Sequence, residues 1–225
     1  KKTPTPPSFV SLWRGATRGT TIGRSLMNQA FAAWRDDVSG LVLDLASGPG
    51  ASLWRYVQGS ERPPTQIVSV DRIAGYQPSV VADLREPLPF KDSVADTVVL
   101  SHYLNIAPDP SRLLAEIRRV LKPGGVVLVS VNLVAQHNPE PTDYWRFTAD
   151  GLRLVLQTAG FSAVHVSPLG NRWTAAAYIV SPFLRPRRPV APIVYWTCLR
   201  LDMLTARWSR LPPCPVGYLA KGVRT

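Results

Sequence analysis

Short, unbroken apolar runs alternate along this chain with stretches in which apolar residues recur every three or four positions. Unbroken runs of about four to eight residues are typical of buried strands in parallel sheets, whereas the longer spacing is typical of helices that pack on one face. The runs predict strands at residues 41–45, 67–70, 80–84, 95–101, 126–132, 162–166 and 216–223. The 27 residues from Asp44 to Asp71 are about the length of one strand–helix–strand unit, so the pattern favours an α/β fold.

The stretches with helical spacing carry capping residues at their ends. They predict helices at residues 20–34, 51–58, 113–121, 149–159 and 190–211. Thr20 or Thr21 is placed to cap the first helix and Thr148 the fourth, because a hydroxyl there accepts a hydrogen bond from the first turn. Gly160 follows the fourth helix, at a position where glycine commonly ends a helix.

The composition fits a single folded domain with a basic surface. The chain has 225 residues, 45% of them hydrophobic and 18% charged, and a formal net charge of +11. This content supports one domain over residues 20–225, and the Pro-rich start KKTPTPPS predicts a flexible N-terminal segment at 1–19. Cys198 and Cys214 have neither metal-site nor disulfide spacing, so a cytoplasmic location is expected.

The turn after the first predicted strand is a candidate ligand loop. Gly48 and Gly50 let a ligand approach the backbone without a Cβ in the way, at the strand edge where ligands of α/β sheets bind. The dinucleotide fingerprint requires a third glycine where Leu53 stands, and Asp44 lies directly upstream. A carboxylate beside the turn repels phosphates and attracts cations. The loop therefore favours a cationic ligand over a pyrophosphate.

Two segments resemble the class I S-adenosylmethionine-dependent methyltransferases, in particular the methyltransferase type 11 group. LVLDLASGPGASL resembles their motif I, although Ala46 stands where the family usually has glycine. RLLAEIRRVLKPGG resembles their helix with a Leu-Lys-Pro-Gly-Gly turn, although Asn105 and Ile106 replace the Glu-His pair that relatives often carry before it. The resemblance implies a three-layer α/β/α sandwich, Rossmann-like, with a seven-stranded, mostly parallel sheet whose last strand is antiparallel.

The resemblance also implies that S-adenosyl-L-methionine is the cofactor and S-adenosyl-L-homocysteine the product. Asp71 ends the second strand, where a carboxylate can accept hydrogen bonds from both hydroxyls of a ribose. Asp83 and Leu84 match the family positions that face the adenine amino group and supply a backbone amide. The predicted cofactor-binding residues are Asp44, Ala46, Ser47, Gly48, Gly50, Asp71, Arg72, Asp83, Leu84 and Ser101.

The acceptor side is predicted in two loops that follow strands. His102 and His137 have intrinsic pKa values suited to a general base, and with Tyr144 they form the predicted catalytic set. The string DYWRFT resembles one in methyltransferases of bacterial glycan and secondary-metabolite gene clusters. It supplies the predicted substrate contacts Asp143, Trp145 and Arg146, with an Asp143–Arg146 loop brace as the alternative. Four residues near the first helix are further candidates for a substrate entrance: Trp13, Arg14, Arg18 and Arg24.

An insertion at about 170–215 precedes the last predicted strand. Its apolar residues are spaced alternately four and three apart, and additional apolar side chains widen the stripe beyond one contact seam. Residues 181–225 carry seven Arg, one Lys and one Asp. Basic residues beside tryptophans and leucines predict that 185–211 lies on anionic lipid, contacts a second copy, or covers the substrate as a lid.

The sequence therefore predicts a methyltransferase that acts on a hydroxyl or amine of a small molecule, natural product or glycan precursor. The pI near 10.3 keeps RNA methylation as an alternative, although no Asn/Asp-Pro-Pro-Tyr-type motif follows the fourth strand. A second alternative is a membrane-surface or scaffold protein that binds the cofactor without catalysis. No metal is expected, and peripheral membrane contact accompanies the cytoplasmic location as an option.

Overall fold

Seven strands form one sheet in the computed structural model, which describes residues 6–49, 57, 59–61, 63–184, 190–205 and 212–225. The strands are β1 (Gly40–Leu45), β2 (Pro64–Asp71), β3 (Val80–Val81), β4 (Ala95–Ser101), β5 (Leu121–Asn132), β6 (Phe161–Leu169) and β7 (Gly217–Arg224). Their order across the sheet is β3-β2-β1-β4-β5-β7-β6. Within the described sheet only β7 runs antiparallel to its neighbours, which confirms the mostly parallel sheet with an antiparallel last strand.

Helices cover both faces of this sheet. The described helices are α1 (Phe9–Thr17), α2 (Ile22–Ala33), α3 (Pro110–Val120), α4 (Ala149–Thr158), α5 (Arg172–Leu184) and α6 (Ala191–Thr205). The predicted caps are confirmed, because Thr21 Oγ1 accepts from the Arg24 amide at 3.3 Å and Thr148 Oγ1 accepts from the Gly151 amide at 3.1 Å.

The two sides of the sheet hold separate hydrophobic cores. On one side Leu43 of β1 lies in a core with Leu114 of α3 and the buried residues of α4. On the other side Val42 lies in a core with Phe31 of α2 and Leu199 of α6. Successive residues of β1 thus enter opposite cores, as the pleat of a strand requires. The molecule is the predicted three-layer α/β/α sandwich.

The N-terminal segment 1–19, expected to be flexible, contains helix α1. Ser8 caps this helix by accepting a hydrogen bond from the Ser11 amide at 3.2 Å, and Leu12 and Ala16 are buried. The Pro-rich first residues suggested a flexible segment. The apolar face of α1 instead packs against α6, much later in the chain, and a local sequence pattern does not show such a contact.

The insertion contributes two helices, α5 and α6, where the sequence pattern predicted one. α6 confirms that predicted helix as far as Thr205. α5 is apolar on several sides, so its sequence shows no single stripe with a helical period. Among the described helices, none combines the length and the apolar content that a membrane-spanning segment needs. The residues of the two predicted helices 51–58 and 190–211 that lie outside the described chain are 51–56, 58 and 206–211, and residues 185–189 of the predicted lipid-facing segment lie outside it as well.

Asp202 of α6 caps the start of α5. Its Oδ2 accepts hydrogen bonds from the amides of Asn171 (3.0 Å) and Thr174 (3.1 Å), and its Oδ1 accepts from the amide of Trp173 (2.9 Å). The Thr174 hydroxyl donates to Oδ2 at 2.7 Å. Because backbone donors in the first turn of a helix lack helical partners, this buried carboxylate fixes the two insertion helices to each other.

Candidate functional site

The loop after β1 is shaped by left-handed backbone angles and by an acid of the next strand. Ala46 and Gly48 have φ angles of 54° and 67°. The Gly48 amide donates to Asp71 Oδ2 at 2.9 Å, and the Ser47 amide donates to the Val70 carbonyl at 3.1 Å. A Cβ placed on Gly48 would meet no described atom within 4 Å, so a ligand has open space in front of this residue.

Two buried carboxylates lie at the carboxyl ends of the adjacent strands β1 and β2. Burial raises the pKa of Asp44 to about 7, and the negative charge of Asp71 adds to that effect. Asp71 Oδ1 accepts from the Ile73 amide at 2.9 Å, and each of its oxygens can accept a second hydrogen bond. A bound cation would restore the ionised form of Asp44, and hydroxyl donors would complete the bonds of Asp71.

Two cavities meet at this loop. The larger, about 360 Å³, lies between the loop, α2, β4 and α5. It is lined by Thr21, Gly23, Arg24, Met27, Phe31, Asp44, Ala46, Ser47, Gly48, Pro49, Val99, Ser101, His102, Asn132, Leu169, Tyr178, Val216 and Gly217. The smaller, about 170 Å³, is lined by Ala46, Asp71, Arg72, Ile73, Tyr76, Ala82, Leu84, Tyr103, Ile106 and Pro141. Ala46 lines both, so one elongated ligand can extend from one cavity into the other.

This architecture matches known proteins in sequence and in structure. Residues 43–129, from β1 into β5, match the family model described as a methyltransferase domain, of the type 11 group. An arsenite methyltransferase of Halobacterium salinarum is 28% identical over 220 residues, which cover 80% of this chain and 53% of that protein. A thiol S-methyltransferase, TMT1B, of Rattus norvegicus is 29% identical over 137 residues, which cover 52% of this chain and 55% of that protein.

The sequence from residue 43 to residue 129 is that of a type 11 methyltransferase domain. The crystal structure of an S-adenosylmethionine-dependent methyltransferase from Archaeoglobus fulgidus shares its fold, with a TM-score of 0.60 and 16% identity over 92% of this chain and 96% of that one. The chain spans about half the length of the curated relatives it matches.

The cofactor of this family is S-adenosylmethionine, and the described residues fit it. Asp44 remains the predicted partner of the positively charged methionine end, and Asp71 remains the predicted partner of the ribose hydroxyls. Ser47 Oγ is buried and has no hydrogen-bond partner in the described part of the chain, so it is free to bind the same ligand. Apolar and aromatic side chains of the smaller cavity, such as Tyr103 and Ile106, provide a surface for an adenine ring.

Most of the predicted cofactor residues gather around the two cavities. Asp44, Ala46, Ser47, Gly48 and Ser101 line the larger one, and Ala46, Asp71, Arg72 and Leu84 line the smaller one. Asp83 lines neither cavity, because Arg85 binds its carboxylate with Nη2 2.6 Å from Oδ2. Hydrogen bonding by Arg85 also lowers the pKa of Asp83. Gly50 lies outside the described residues.

His102 is the predicted catalytic residue that reaches the larger cavity. Its φ angle is 55°, and its amide donates to the Ser130 carbonyl at 3.0 Å, so the turn after β4 is fixed. Its Nδ1 is buried and has no partner among the described residues. Burial, with a smaller effect of the Arg24 charge, lowers the pKa of His102 to about 4. The imidazole is therefore neutral at pH 7 and is a weak base that can accept a hydrogen bond.

His137 and Tyr144 lie on the exposed loop after β5, and neither lines a described cavity. Tyr144 is 51% exposed, and its amide donates to the Asn105 carbonyl at 3.0 Å. Of the three predicted catalytic residues, only His102 lines a described cavity. Their assignment to catalysis stays a prediction.

The predicted substrate contacts form a brace. Arg146 pairs with Asp143 at 2.5 Å and donates to the Trp145 carbonyl at 2.9 Å, and Trp145 Nε1 donates to the Ala107 carbonyl at 2.9 Å. Buried Asn105 donates to the carbonyls of Trp145 and the last residue of β5, at 2.7 and 3.1 Å. Asn105 thus ties together the loops after β4 and β5, a role that its departure from the family pattern did not reveal.

The larger cavity also contains residues that the sequence analysis did not assign to a site. Met27, Phe31 and Tyr178 belong to α2 and α5, and the spacing of Phe31 had suggested only core packing. Of the four candidates for a substrate entrance, Arg24 lines the cavity, whereas Trp13, Arg14 and Arg18 do not. Among the described residues, no group of three or more His, Cys, Asp or Glu is arranged to hold a metal ion.

Proposed function

We propose that this chain is an S-adenosylmethionine-dependent methyltransferase that modifies a hydroxyl or amine of a small molecule, natural product or glycan precursor. The supporting observation is the larger cavity, which extends from the Asp44–Gly48 loop to Arg24, His102 and Tyr178. Its volume of about 360 Å³ falls in the range of small-molecule sites. When bound, the cofactor supplies a methyl group on its sulfonium, and the protein must align the acceptor and exclude water.

The residues of the larger cavity indicate which chemical groups of an acceptor they can bind. Neutral His102 can accept a hydrogen bond from an O–H or N–H group and orient its lone pair. The low pKa of His102 limits its ability to remove a proton, so an acceptor that is already nucleophilic at neutral pH is favoured. Arg24 has no ion pair among the described residues, and it can bind an anionic or polar part of the acceptor at the cavity's edge.

A thiol is a second candidate acceptor. Two observations favour it: the similarity to thiol S-methyltransferases, and a site whose histidine is a weak base. A thiol with a pKa near 8.5 is partly ionised at pH 7, so it needs little help from a base. Arsenite, the acceptor in another relative's name, has less support. Arsenic favours soft thiolate ligands, and neither Cys198 nor Cys214 lines the cavity.

A parallel assay tests the proposal. The purified chain is incubated with methyl-labelled S-adenosylmethionine and matched sets of phenols and alcohols, amines and thiols, and labelled products are separated by chromatography. Product from the hydroxyl or amine set supports the first candidate, and product from the thiol set alone supports the second. Calorimetric binding of the cofactor without any product in the three sets would favour the non-catalytic alternative. Methylation of RNA in the same assay would favour RNA as the acceptor.

A further inference from the structure

The outer face of α1, α5 and α6 is unusually apolar for a solvent-facing surface. We call it the α1/α5/α6 face, and it consists of exposed apolar residues from the three helices: Phe9, Val10, Trp13, Trp173, Ile179, Val180, Phe183, Ile193, Trp196, Met203 and Leu204. Their exposed fractions run from 36% for Trp196 to 76% for Phe183. Contiguous apolar surface of this kind marks an interaction site.

Helix α6 shows why this face needs a partner. Its inner residues Tyr195 and Leu199 lie in the hydrophobic core, as an amphipathic helix requires. Its outer residues Ile193 and Leu204 are 53% and 66% exposed, where polar residues are usual. A helix that is apolar on both sides is expected to contact a second apolar environment beyond its own core.

Aromatic side chains of the face are grouped beside a cation. The Phe9 ring lies 5.9 Å from the Trp13 ring and 6.1 Å from the Trp196 ring, and the Arg200 guanidinium carbon lies 5.0 Å from the centre of the Trp196 ring. Tryptophan rings with adjacent arginines are typical of the boundary between lipid headgroups and acyl chains. This arrangement favours a bilayer surface over a purely apolar partner.

The positive charge of the sequence is concentrated in the segments that contain these helices. Residues 1–35 and 172–215 carry a net charge of +12, whereas the remaining residues sum to −1. Those two segments contain one acid, Asp202, and it is buried in the cap of α5. The described part of the three helices and their caps carries Arg14, Arg18, Arg172 and Arg200 and no exposed acid. Anionic lipid headgroups attract such a surface.

We propose that the α1/α5/α6 face docks on an anionic membrane surface. A second copy of the chain would bring two strongly positive faces together, which electrostatic repulsion opposes. Nucleic-acid interfaces are highly charged and polar, so they leave exposed Ile, Leu, Val and Met side chains without a partner. The inner side of α5 lines the larger cavity through Tyr178, so one helix would connect the membrane-facing surface to the acceptor site.

Vesicle flotation tests the proposal with the full chain. The vesicles contain phosphatidylcholine alone or with about 30% phosphatidylserine, at about 50 mM and about 500 mM salt. We expect binding to the anionic vesicles at low salt, and a bound fraction that falls at least about fivefold at high salt. Absence of binding to anionic vesicles at low salt would overturn the proposal.

A pair of variants tests whether vesicle binding depends on this face or on nonspecific hydrophobic contact. The triple variant Phe183→Ser, Ile193→Ser, Leu204→Ser changes exposed residues of the face, and Leu154→Ser changes a 64% exposed residue of α4 on the opposite side of the sheet. We expect the triple variant to lose about tenfold in bound fraction and Leu154→Ser to bind like wild type. Circular dichroism and calorimetry with the cofactor check that both variants are folded.

Three outcomes would contradict the membrane assignment. Equal binding of vesicles by the triple variant and by Leu154→Ser would show that another surface is responsible. A dimer in light scattering that the triple variant disrupts, without vesicle binding, would assign the face to a second copy. Binding of a single-stranded RNA in place of vesicles would assign the positive charge to nucleic acid. Methyl transfer in solution is measured separately, so failure of docking does not count against the proposed function.

Discussion

The two helical layers of this protein differ in what they present to solvent. On one side of the sheet α3 and α4 bury their apolar residues, and Leu154 is the one large apolar residue that these two described helices leave exposed. The outer side of α3 carries ion pairs such as Arg119 with Glu116 at 2.8 Å. On the other side α1, α5 and α6 leave tryptophans, phenylalanines and aliphatic residues exposed.

A related division separates the part of the chain that matches the methyltransferase model from the rest. The match at 43–129 covers β1 into β5 with α3, whereas α1, α2, α4, α5 and α6 lie outside it. The cofactor loop and its acids belong to the matched part. Arg24, Met27 and Tyr178, which line the larger cavity, belong to the helices outside it. One of the helices that line the larger cavity, α5, therefore also carries part of the unusual outer surface.

The largest effect is expected at the junction between α5 and α6, two helices of the layer with the apolar outer surface. Asp202→Ala removes four hydrogen bonds to the start of α5, so it should lower the free energy of unfolding by about 3–5 kcal/mol. Asp109→Ala is the matched change in the other layer, where an exposed cap of α3 loses one bond, worth about 1 kcal/mol. Urea unfolding of both variants measures the difference. Equal losses would show that the α5–α6 junction adds no special stability.

A second prediction concerns Asp44, which lies in the part of the site that the methyltransferase match covers. The pKa of Asp44 is about 7 in the folded protein, above the ordinary value of 3.8 expected in the unfolded chain, so ionisation of this carboxyl opposes folding. The stability that protonated Asp44 contributes is fully present below about pH 4 and is lost as the pH rises to 7. Asp44→Asn should therefore stabilise the cofactor-free protein at pH 8, on the order of 3 kcal/mol. Thermal unfolding at pH 4 and pH 8 checks the sign, since the gain should shrink at the lower pH.

The same variant should bind the cofactor more weakly. A bound cation favours ionised Asp44, so wild-type affinity should rise by up to about tenfold in all between pH 6 and pH 8, and Asp44→Asn should lose this rise together with at least about tenfold in affinity. Calorimetry at several pH values measures both. A wild-type affinity independent of pH would mean that ionised Asp44 does not interact with the positive charge of the cofactor.

The sequence was a good guide to the parts of the site that one local segment determines. The strand, the acid and the glycine turn at 41–50 lie within a single run, so their pattern predicted the loop that Gly48 and Asp44 form. Asp71 could be placed beside that loop because parallel strands end on one edge. Residues brought in by long-range packing gave no such pattern, as Tyr178 and Asn105 show.

The sequence was also a poor guide to polar residues that form an ion pair with a residue close by in the chain. Asp83 was expected to face adenine, but Arg85 binds it two residues later. Arg146 was given two alternatives, a substrate contact or a brace with Asp143, and the structure shows the brace. Helix α1 was missed because its partner, α6, lies at the other end of the chain.

A third prediction tests the acceptor side. His102→Asn should lower kcat at least about tenfold while cofactor affinity stays near wild type, because the side chain lines the cavity where the acceptor binds. His137→Asn, in the exposed loop, is the matched control and should change kcat by less than about twofold. Steady-state kinetics with the best acceptor decide between them. A loss in the control as large as that in His102→Asn would place the loop after β5 in the reacting complex.

The smallest effect is expected at the one loop position where the chain departs from its family's glycine. Ala46 has a φ of 54°, and a left-handed conformation costs a residue with a Cβ about 1–2 kcal/mol. Glycine removes that strain but adds freedom to the unfolded chain, worth about 0.4–1 kcal/mol. Ala46→Gly should thus raise the free energy of unfolding by about 0.5–1 kcal/mol. Ala176→Gly, at an exposed position inside α5, should lower it by about 1 kcal/mol. Urea unfolding measures both variants. Changes of opposite sign in the free energy of unfolding would show that the backbone at Ala46 is strained. A lower free energy of unfolding in both variants would show that Ala46 is not strained.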